Sequence, residues 1–306
     1  MILLSDVKKM NILITGGTGL IGTKLVQFLN NHHHVTVLTR QLDKAYQING
    51  HQVQAVTALS QINFNNIDTV INLAGEPIAD KRWSAKQKQK IEQSRFTITQ
   101  ALVDGINAAD TPPRTFISGS AIGYYGRQTT QVDESHTDYF DEFSHQLCKK
   151  WEQIALGAKT EQTRVCLLRT GIVLCDKGGA LQKMLPAFKL GLGGPIATGQ
   201  QMMSWIHIDD MISAILFILE TPNLQGPINA TAPNPVSNAQ FSHLLAKTIR
   251  RPDFLTMPAA VLRLMFGEMA DLLLHGQAVK PKALLDTGFR FHHPYLNEAL
   301  QSLLTK

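Results

Sequence analysis

The sequence predicts an α/β protein with a Rossmann-type, doubly wound parallel sheet and a smaller, discontinuous C-terminal lobe. Short apolar strands alternate with helical patterns through the first half of the chain, which is typical of successive βαβ units. A glycine-rich turn, Gly16-x-x-Gly19-x-x-Gly22, stands between the first predicted strand and the first predicted helix. The 306 residues suffice for one large α/β domain, or for a nucleotide domain with an appended lobe.

The first half of the chain supplies the strands of the predicted sheet and the helices between them. The predicted strands are Asn11–Thr15, Val35–Thr39, Val53–Val56, Asp68–Leu73, Thr115–Ser118 and Arg164–Arg169. The predicted helices are Gly19–Asn30, Ser84–Ala109 and Phe143–Ala158. Right-handed crossovers between parallel strands place the ligand at the carboxyl ends of the strands.

The pattern loosens after Leu174, where glycines punctuate the chain as far as Gly199. Helices are predicted beyond it, over Ile208–Glu220, near Asn238–Arg250 and near Ala259–Leu274. We expect a nucleotide-binding Rossmann domain over residues 10–175, completed by about 204–232, and a smaller substrate-side lobe over 176–203 and 233–306.

Composition and charge narrow the partners of this chain. The hydrophobic fraction of 44% and charged fraction of 17% suit an ordered protein with a sizeable core. The formal charge of +5 is scattered, so we expect no nucleic-acid partner. No apolar run approaches the roughly 20 residues that span a bilayer, so we expect no membrane partner. A small-molecule substrate of unknown identity is expected, and a homodimer is left open.

The cysteine count indicates a reducing compartment, and we expect a cytoplasmic protein. The three cysteines are an odd number without metal-ligand spacing. The triplet His32-His33-His34 lies between a predicted helix and a predicted strand and lacks a partner cluster. We therefore expect no metal site.

The glycine-rich turn predicts a dinucleotide site. Gly16 permits the tight turn, Gly19 lets the backbone approach a pyrophosphate, and Gly22 lets the helix pack close to the sheet. Backbone N–H groups at the helix start, over Thr18, Leu20 and Ile21, then face the phosphates at the positive end of the helix dipole.

The end of the second predicted strand indicates which dinucleotide binds. An NAD site commonly has Asp or Glu here to accept a hydrogen bond from the ribose 2′-OH. This chain has Thr39 and Arg40. A guanidinium binds a 2′-phosphate through paired donors, so the sequence favours NADP(H). The alternative is that Arg40 is a surface arginine that starts a loop.

With these motifs the chain resembles the short-chain dehydrogenase/reductase superfamily in its extended, sugar-nucleotide-epimerase-like form. It is most similar to a branch of nucleoside-diphosphate-sugar epimerases with a short C-terminal domain of unknown function. The motifs that carry the resemblance are Thr15–Gly22, Asn72–Ile78, Ser118–Gly126, Trp151-Glu152, Leu168–Gly171, Gly191–Pro195, Trp205–Asp210 and the tail Pro281–Gly288 with Glu298–Leu300.

The resemblance implies roles for matching residues. The implied cofactor contacts are Leu73, Ala74 and Gly75 on the adenosine and ribose side, Glu76 and Ser118 beside them, and Thr170 and Gly171 near the nicotinamide. Ser120 matches the superfamily's catalytic serine, which hydrogen-bonds the reacting oxygen. His207, Asp209 and Asp210 match a segment that joins the two lobes, and we interpret them as a hydrogen-bond hub and helix cap.

The chain departs from the superfamily at its proton donor, a tyrosine with a lysine four residues later. None of the five tyrosines has that lysine. Aligned on Trp151-Glu152, Ser144 stands at the tyrosine position and Cys148 at the lysine position. A tyrosine has a pKa of about 10 and needs a nearby cation to exchange protons near neutrality. Cys148 is not a cation, and serine is a far weaker acid.

Two hypotheses of different classes follow. The first is an NADP(H)-dependent oxidoreductase or epimerase in which Tyr124 or Tyr125, close after Ser120, replaces the missing acid; Glu76 is another candidate. The second is a non-catalytic NADP(H)-binding protein that senses redox state or binds a partner. Intact cofactor motifs without the catalytic pair favour the second hypothesis, and the second lobe favours the first.

Overall fold

The computed structural model describes residues 9–305 of the chain. The strands are β1 (Asn11–Thr15), β2 (His34–Leu38), β3 (Gln54–Val56), β4 (Thr69–Asn72), β5 (Thr115–Ala121), β6 (Gln131–Val132), β7 (Arg164–Thr170), β8 (Ile172–Cys175), β9 (Met202–Met203), β10 (Trp205–His207), β11 (Gly226–Ala230), β12 (Val236–Ser237) and β13 (Ala278–Val279). The helices are α1 (Leu20–Leu29), α2 (Leu42–Asn49), α3 (Ala85–Asn107), α4 (Phe143–Leu156), α5 (Gly179–Lys189), α6 (Ile208–Glu220), α7 (Asn238–Thr248), α8 (Ala259–Phe266), α9 (Asp271–Leu274), α10 (Lys282–Asp286) and α11 (Leu296–Leu304).

The central sheet has seven strands in the order β11-β7-β5-β4-β1-β2-β3. The pairs β1–β2, β1–β4, β2–β3 and β4–β5 are parallel. The order changes direction between β1 and β4, which is the switch point where such sheets bind their ligands. The predicted Rossmann-type fold is confirmed.

The strand register aligns the residues at the carboxyl edge of this sheet. Thr15 pairs with Leu38 on one side and with Asn72 on the other, and Asn72 pairs with Ser118. The turns that follow β1, β2, β4 and β5 therefore leave the sheet at the same edge. Those turns carry most of the residues predicted to bind the cofactor.

The chain divides into two compact units. The first contains the residues up to Gly75, Ser94–Gly119 and Trp151–Leu167; the second contains Glu76–Gln93, Ser120–Lys150 and the chain from Leu168 onwards. In the first unit, residues from α3 and the end of α4 pack with strand residues such as Leu13, Phe116 and Val165 in one buried cluster. The domain boundaries expected from the sequence stay a prediction.

Several elements were missed by the sequence patterns. Helix α5 lies in the glycine-punctuated stretch and buries Leu181, Leu185 and Phe188, although Pro186 lies inside it. Strand β11 lies in a Pro- and Asn-rich segment, and α2 and α11 were not predicted. The helix expected over Ala259–Leu274 is interrupted at Gly267, which has a φ of +60° that few other residues adopt.

Two further features bear on the setting of the protein. Cys148, Cys166 and Cys175 are buried thiols. Among residues 9–305, no helix combines the length and the apolar character needed to cross a bilayer.

Candidate functional site

The turn after β1 has a backbone geometry that excludes side chains at two of its glycines. Gly16 has a φ of +71°, and a Cβ there would lie 2.6 Å from the carbonyl carbon and oxygen of Leu73. A Cβ at Gly22 would lie 2.2 Å from the carbonyl oxygen of Gly16. Both distances are far below van der Waals contact. Glycine is therefore needed at both positions for the turn to form.

Gly19 has a different constraint, because a Cβ there would meet only the Gly16 oxygen, at 3.2 Å. Gly19 is exposed and caps α1 without a side-chain hydrogen bond, and the first turn of α1 has no acidic residue. The first amides of a helix have no partner inside the helix and carry partial positive charge. The exposed start of α1, with Leu20 and Ile21 in its first turn, is thus suited to an anion.

A buried set of four polar side chains fixes this edge of the first unit; we call it the polar framework. Thr15 Oγ1 donates to Asn72 Oδ1 at 2.6 Å, and Asn72 Nδ2 donates to Thr99 Oγ1 at 2.8 Å. Trp151 Nε1 donates to the same Thr99 oxygen at 2.9 Å. The framework joins the ends of β1 and β4 to α3 and α4, and the Ala74 amide donates to Thr15 Oγ1.

Arg40 lies beyond β2, as the sequence predicts, whereas Thr39, predicted as the last residue of that strand, is the first residue after it. Thr39 Oγ1 accepts from the amide of Gln41 at 3.1 Å, a turn that leads into α2. Arg40 is exposed and forms no ion pair with any residue in the described part of the chain. Its guanidinium is accessible to a phosphate from solvent.

The other predicted cofactor residues divide between the two units. Leu73, Ala74 and Gly75 follow β4 in the first unit, and Gly75 is exposed. Ser118 is fully buried in β5. In the second unit, Thr170 ends β7 and is half-buried, and Gly171 packs so tightly that a Cβ would lie 2.6 Å from the Ser204 oxygen. The roles of these residues stay predictions.

Glu76 forms an ion pair with Lys90, in which Glu76 Oε1 lies 2.7 Å from the lysine nitrogen. The hydrogen bond from Lys90 is the largest cause that holds the pKa of Glu76 below its usual range. Such a carboxyl group is ionised at neutral pH and has no proton to donate. The geometry therefore disfavours Glu76 as the missing acid.

The two tyrosines of the 3-10 turn Ile122–Tyr125 have different environments. Tyr125 is fully buried; its hydroxyl donates to Asn229 Oδ1 at 2.9 Å and accepts from Arg169 Nη1 at 3.0 Å. Burial raises the pKa of Tyr125 to about 12. Tyr124 is only half-buried, and the Arg169 guanidinium lies 3.5 Å from its ring centroid. Of the two, Tyr124 is the more accessible to a substrate.

Ser144 and Cys148, which the sequence analysis aligns with the superfamily's tyrosine and lysine, face this same turn. A Cβ at Gly123 would lie 3.1 Å from Ser144 Cβ and 3.7 Å from Cys148 Sγ, so both residues lie on the face of α4 that meets the turn. Ser144 Oγ donates to Glu142 Oε1 at 2.9 Å, and Glu142 pairs with Arg127. The Ser144 hydroxyl is thus bonded to a carboxylate that is itself paired with Arg127.

His207, Asp209 and His293 form a cluster whose spacing could suit a metal ion. However, His207 Nδ1 already accepts from the amide of Asp209 as the N-cap of α6. The Ser302 hydroxyl donates to the Ala299 carbonyl, so it accepts from His207 Nε2. Both imidazole nitrogens of His207 are committed to protein hydrogen bonds.

Asp210 completes this hub. It is fully buried and accepts from the backbone amides of His292 and His293 at 2.7 and 2.9 Å. Together with the His207 cap, these bonds attach the C-terminal segment to the start of α6. The interpretation of His207 and Asp210 as a structural hub is confirmed.

A polar cavity of about 720 Å³ lies at the opposite edge of the sheet. It is lined by residues at the starts of strands, among them Asn11, His34 and Gln54. Ligands of doubly wound sheets bind at the carboxyl ends of the strands. We therefore assign no function to this cavity.

Residues that the sequence reasoning missed include Arg169, Asn229 and Glu142. Arg169 belongs to a motif that carries the family resemblance, but its contact with both tyrosines depends on the turn after β5. Nothing in the sequence distinguishes Glu142 from other loop carboxylates, because its bonds to Arg127 and Ser144 form only in the folded chain. No pattern along the chain indicates these pairings.

Comparison with known proteins gives a consistent result over most of the chain. Residues 12–230 match the model of the NAD dependent epimerase/dehydratase family, and residues 257–303 match a domain of unknown function, DUF1731. The chloroplastic SDR39U1 homolog of Arabidopsis thaliana, an epimerase family protein, is 38% identical over 99% of this chain and 90% of its own length.

Solved structures agree with this assignment. The human epimerase family protein SDR39U1, crystallised with NADPH, is 34% identical, with a TM-score of 0.89 over 97% of this chain and 100% of that chain. The UDP-glucuronic acid 4-epimerase of Bacillus cereus shares the fold at 18% identity, with a TM-score of 0.76 over 96% of this chain and 98% of that chain. The family resemblance that the motifs predict is confirmed.

Proposed function

We propose, because this chain belongs to the NAD-dependent epimerase/dehydratase family, that it binds NADP(H) and acts as an epimerase-like oxidoreductase on a carbonyl or sugar-nucleotide substrate. One observation carries this proposal. The turn Gly16–Gly22 has no room for a side chain at Gly16 and Gly22, while its exposed helix start has neither a side-chain cap nor an acidic residue. These are the properties of a pyrophosphate site.

The preference for NADP(H) rests on Arg40. The guanidinium follows β2, where a ribose 2′-substituent lies in dinucleotide folds, and it is exposed to solvent. A carboxylate at this point would repel a 2′-phosphate, and the chain has none at Thr39 or Arg40. The NADPH in the related human structure supports the same preference.

For the chemical step we propose Ser120 and Tyr124. Ser120 is near the carboxyl end of β5, where the reacting oxygen of a substrate would be hydrogen-bonded. Tyr124 follows on the next turn and has the Arg169 cation against its ring. The contact with this cation holds the tyrosine ring in position.

A second candidate function is a non-catalytic NADP(H)-binding protein. In its favour, the resemblance aligns Ser144 and Cys148 with the superfamily's tyrosine and lysine, and in the structure the Ser144 hydroxyl is bonded to Glu142. The two functions share the nucleotide site and differ only in turnover.

Titration of the purified chain with NADPH and NADH by calorimetry tests the cofactor proposal. We expect NADPH to bind more tightly, and Arg40→Asp to reverse the preference, since each lost bond to a charged group is worth roughly 1.5–3 kcal/mol. Equal affinities in the wild type would refute the preference. Oxidation of NADPH with a panel of carbonyls and sugar nucleotides then separates the enzyme from the binding protein.

The compartment and the partners of the protein are also proposed here. We propose a reducing, cytoplasmic setting on the basis of the buried thiols, no nucleic-acid or membrane partner, and a small-molecule substrate. Whether the chain forms a homodimer is best settled by light scattering of the purified protein.

A further inference from the structure

Arg95 lies on α3, outside the motifs that carry the family resemblance, and its guanidinium group lies against Gly75. A Cβ at Gly75 would be 3.0 Å from Arg95 Cζ and 3.2 and 3.3 Å from its two terminal nitrogens. The three atoms are nearly equidistant from this Cβ position, so the guanidinium plane lies flat over the Gly75 backbone. Its carbon is also 5.2 Å from the centroid of the Trp151 ring. The cation is thus held between a backbone and an indole, both in the first unit.

The polar framework fixes the turn of α3 that carries this cation. Thr99 Oγ1 donates to the carbonyl oxygen of Arg95 at 2.7 Å. The same hydroxyl accepts from Asn72 and from Trp151. Asn72 is joined to Thr15, which precedes the glycine-rich turn Gly16–Gly22, here called the nucleotide turn. Rigid support of this kind is expected where a charged group must keep its position.

The cation lies on the far side of β1 from Arg40. The nucleotide turn touches the segment just before Gly75, because a Cβ at Gly16 would be 2.8 Å from the Ala74 nitrogen. Arg40 follows β2, and β2 and β4 flank β1, so they are about 10 Å apart at a strand spacing of about 4.8 Å. A dinucleotide with its 2′-phosphate at Arg40 would place its pyrophosphate over the turn, next to Arg95.

We propose that Arg95 binds the pyrophosphate of the cofactor, opposite the start of α1, and that Gly75 is glycine so that the guanidinium can lie across it. A guanidinium forms paired hydrogen bonds to phosphate oxygens. The inference rests on the proposed function. It adds a contact that serves NADH and NADPH equally, whereas the contact of Arg40 serves NADPH alone.

Calorimetric titration of the full chain with NADPH, NADH and adenosine 2′-monophosphate tests the proposal in Arg95→Gln and Arg40→Gln. We expect Arg95→Gln to lower the affinities for NADPH and NADH by the same factor, about ten- to a hundredfold. The affinity for adenosine 2′-monophosphate should not change. Arg40→Gln should lower the affinities for NADPH and for adenosine 2′-monophosphate and leave the affinity for NADH unchanged. Unchanged affinities in Arg95→Gln, or a loss confined to NADPH, would overturn the assignment.

Gly75→Ala is the second variant, in case Arg95→Gln does not fold. Its methyl group would push the guanidinium back by a few tenths of an ångström, so we expect a loss of affinity that is smaller than in Arg95→Gln but equal for both dinucleotides. The same change in the Arg95→Gln background should have no further effect, whereas an additive loss would mean that the methyl group itself blocks the cofactor. If the wild type binds neither dinucleotide, the proposed function fails; if it binds both and the Arg95 and Gly75 variants match it, only this inference fails.

Discussion

The nucleotide turn of the first unit differs from the reactive segment of the second unit, by which we mean Ser120–Tyr125 with Ser144 and Cys148, in the part of the chain that carries the proposed chemistry. The turn works through its backbone, and a Cβ at Gly22 would come within 2.2 Å of a carbonyl oxygen. The proposed chemistry of the reactive segment depends on side chains, and there the sequence predicts Ser144 and Cys148 at the positions of the superfamily's tyrosine and lysine. A backbone site can be recognised from its glycines alone. A side-chain site can exchange its residues and keep the surrounding fold.

Gly19→Val is the change with the largest expected effect. The valine side chain would occupy the approach of the pyrophosphate, so we expect no detectable binding of NADPH in calorimetry. The fold should persist, because a Cβ at Gly19 meets only one atom, at 3.2 Å. Gly22→Val is the matched control and should unfold at a clearly lower temperature. Normal binding by a folded Gly19→Val would show that the turn is only structural.

The reactive segment is tested by a series of variants under one assay. Loss of a general acid typically lowers the rate by about 10²–10⁴-fold, and we expect this of Tyr124→Phe, with a comparable loss in Ser120→Ala. Ser144→Ala and Cys148→Ala should keep cofactor binding and turnover nearly unchanged.

The opposite pattern, a collapse only in Ser144→Ala and Cys148→Ala, would show that the reactive residues are wrongly assigned. If the wild type turns over no substrate of a broad panel, the binding-protein hypothesis gains instead. Either outcome would mean that Ser120 and Tyr124 are not the side chains through which the second unit acts.

Tyr125→Phe is expected to change the stability of the fold rather than the chemistry. The change leaves Arg169 and Asn229 without the buried hydroxyl, which should lower the free energy of unfolding by about 1–3 kcal/mol. Tyr124→Phe, one residue earlier, should change it by less than about 0.5 kcal/mol. Urea denaturation measures both. Equal losses would mean that Tyr124 also serves the fold.

The same contrast explains what the sequence could predict. Strand β1 and helix α6 have the predicted bounds, because buried apolar runs and a polar N-cap are local signals. Helix α5 was missed because Gly178, Gly179 and Pro186 are signals of loops, whereas its burial depends on tertiary packing. The position of Arg95 was also beyond prediction, since it depends on the meeting of α3 with the end of β4. Local chemistry could be predicted; contacts between distant segments could not.

The hydroxyl of Thr99 has a consequence for how this protein can change over evolutionary time. It accepts two hydrogen bonds, from Asn72 and Trp151, and donates one, to the Arg95 carbonyl, so its bonding capacity is full. A substitution at Asn72, Thr99 or Trp151 alone leaves a buried polar group without its hydrogen-bond partner. These positions should therefore vary together among homologues, as a coevolving group, or not at all. We expect substitutions in the nucleotide turn to be limited by these three positions as well as by its own glycines.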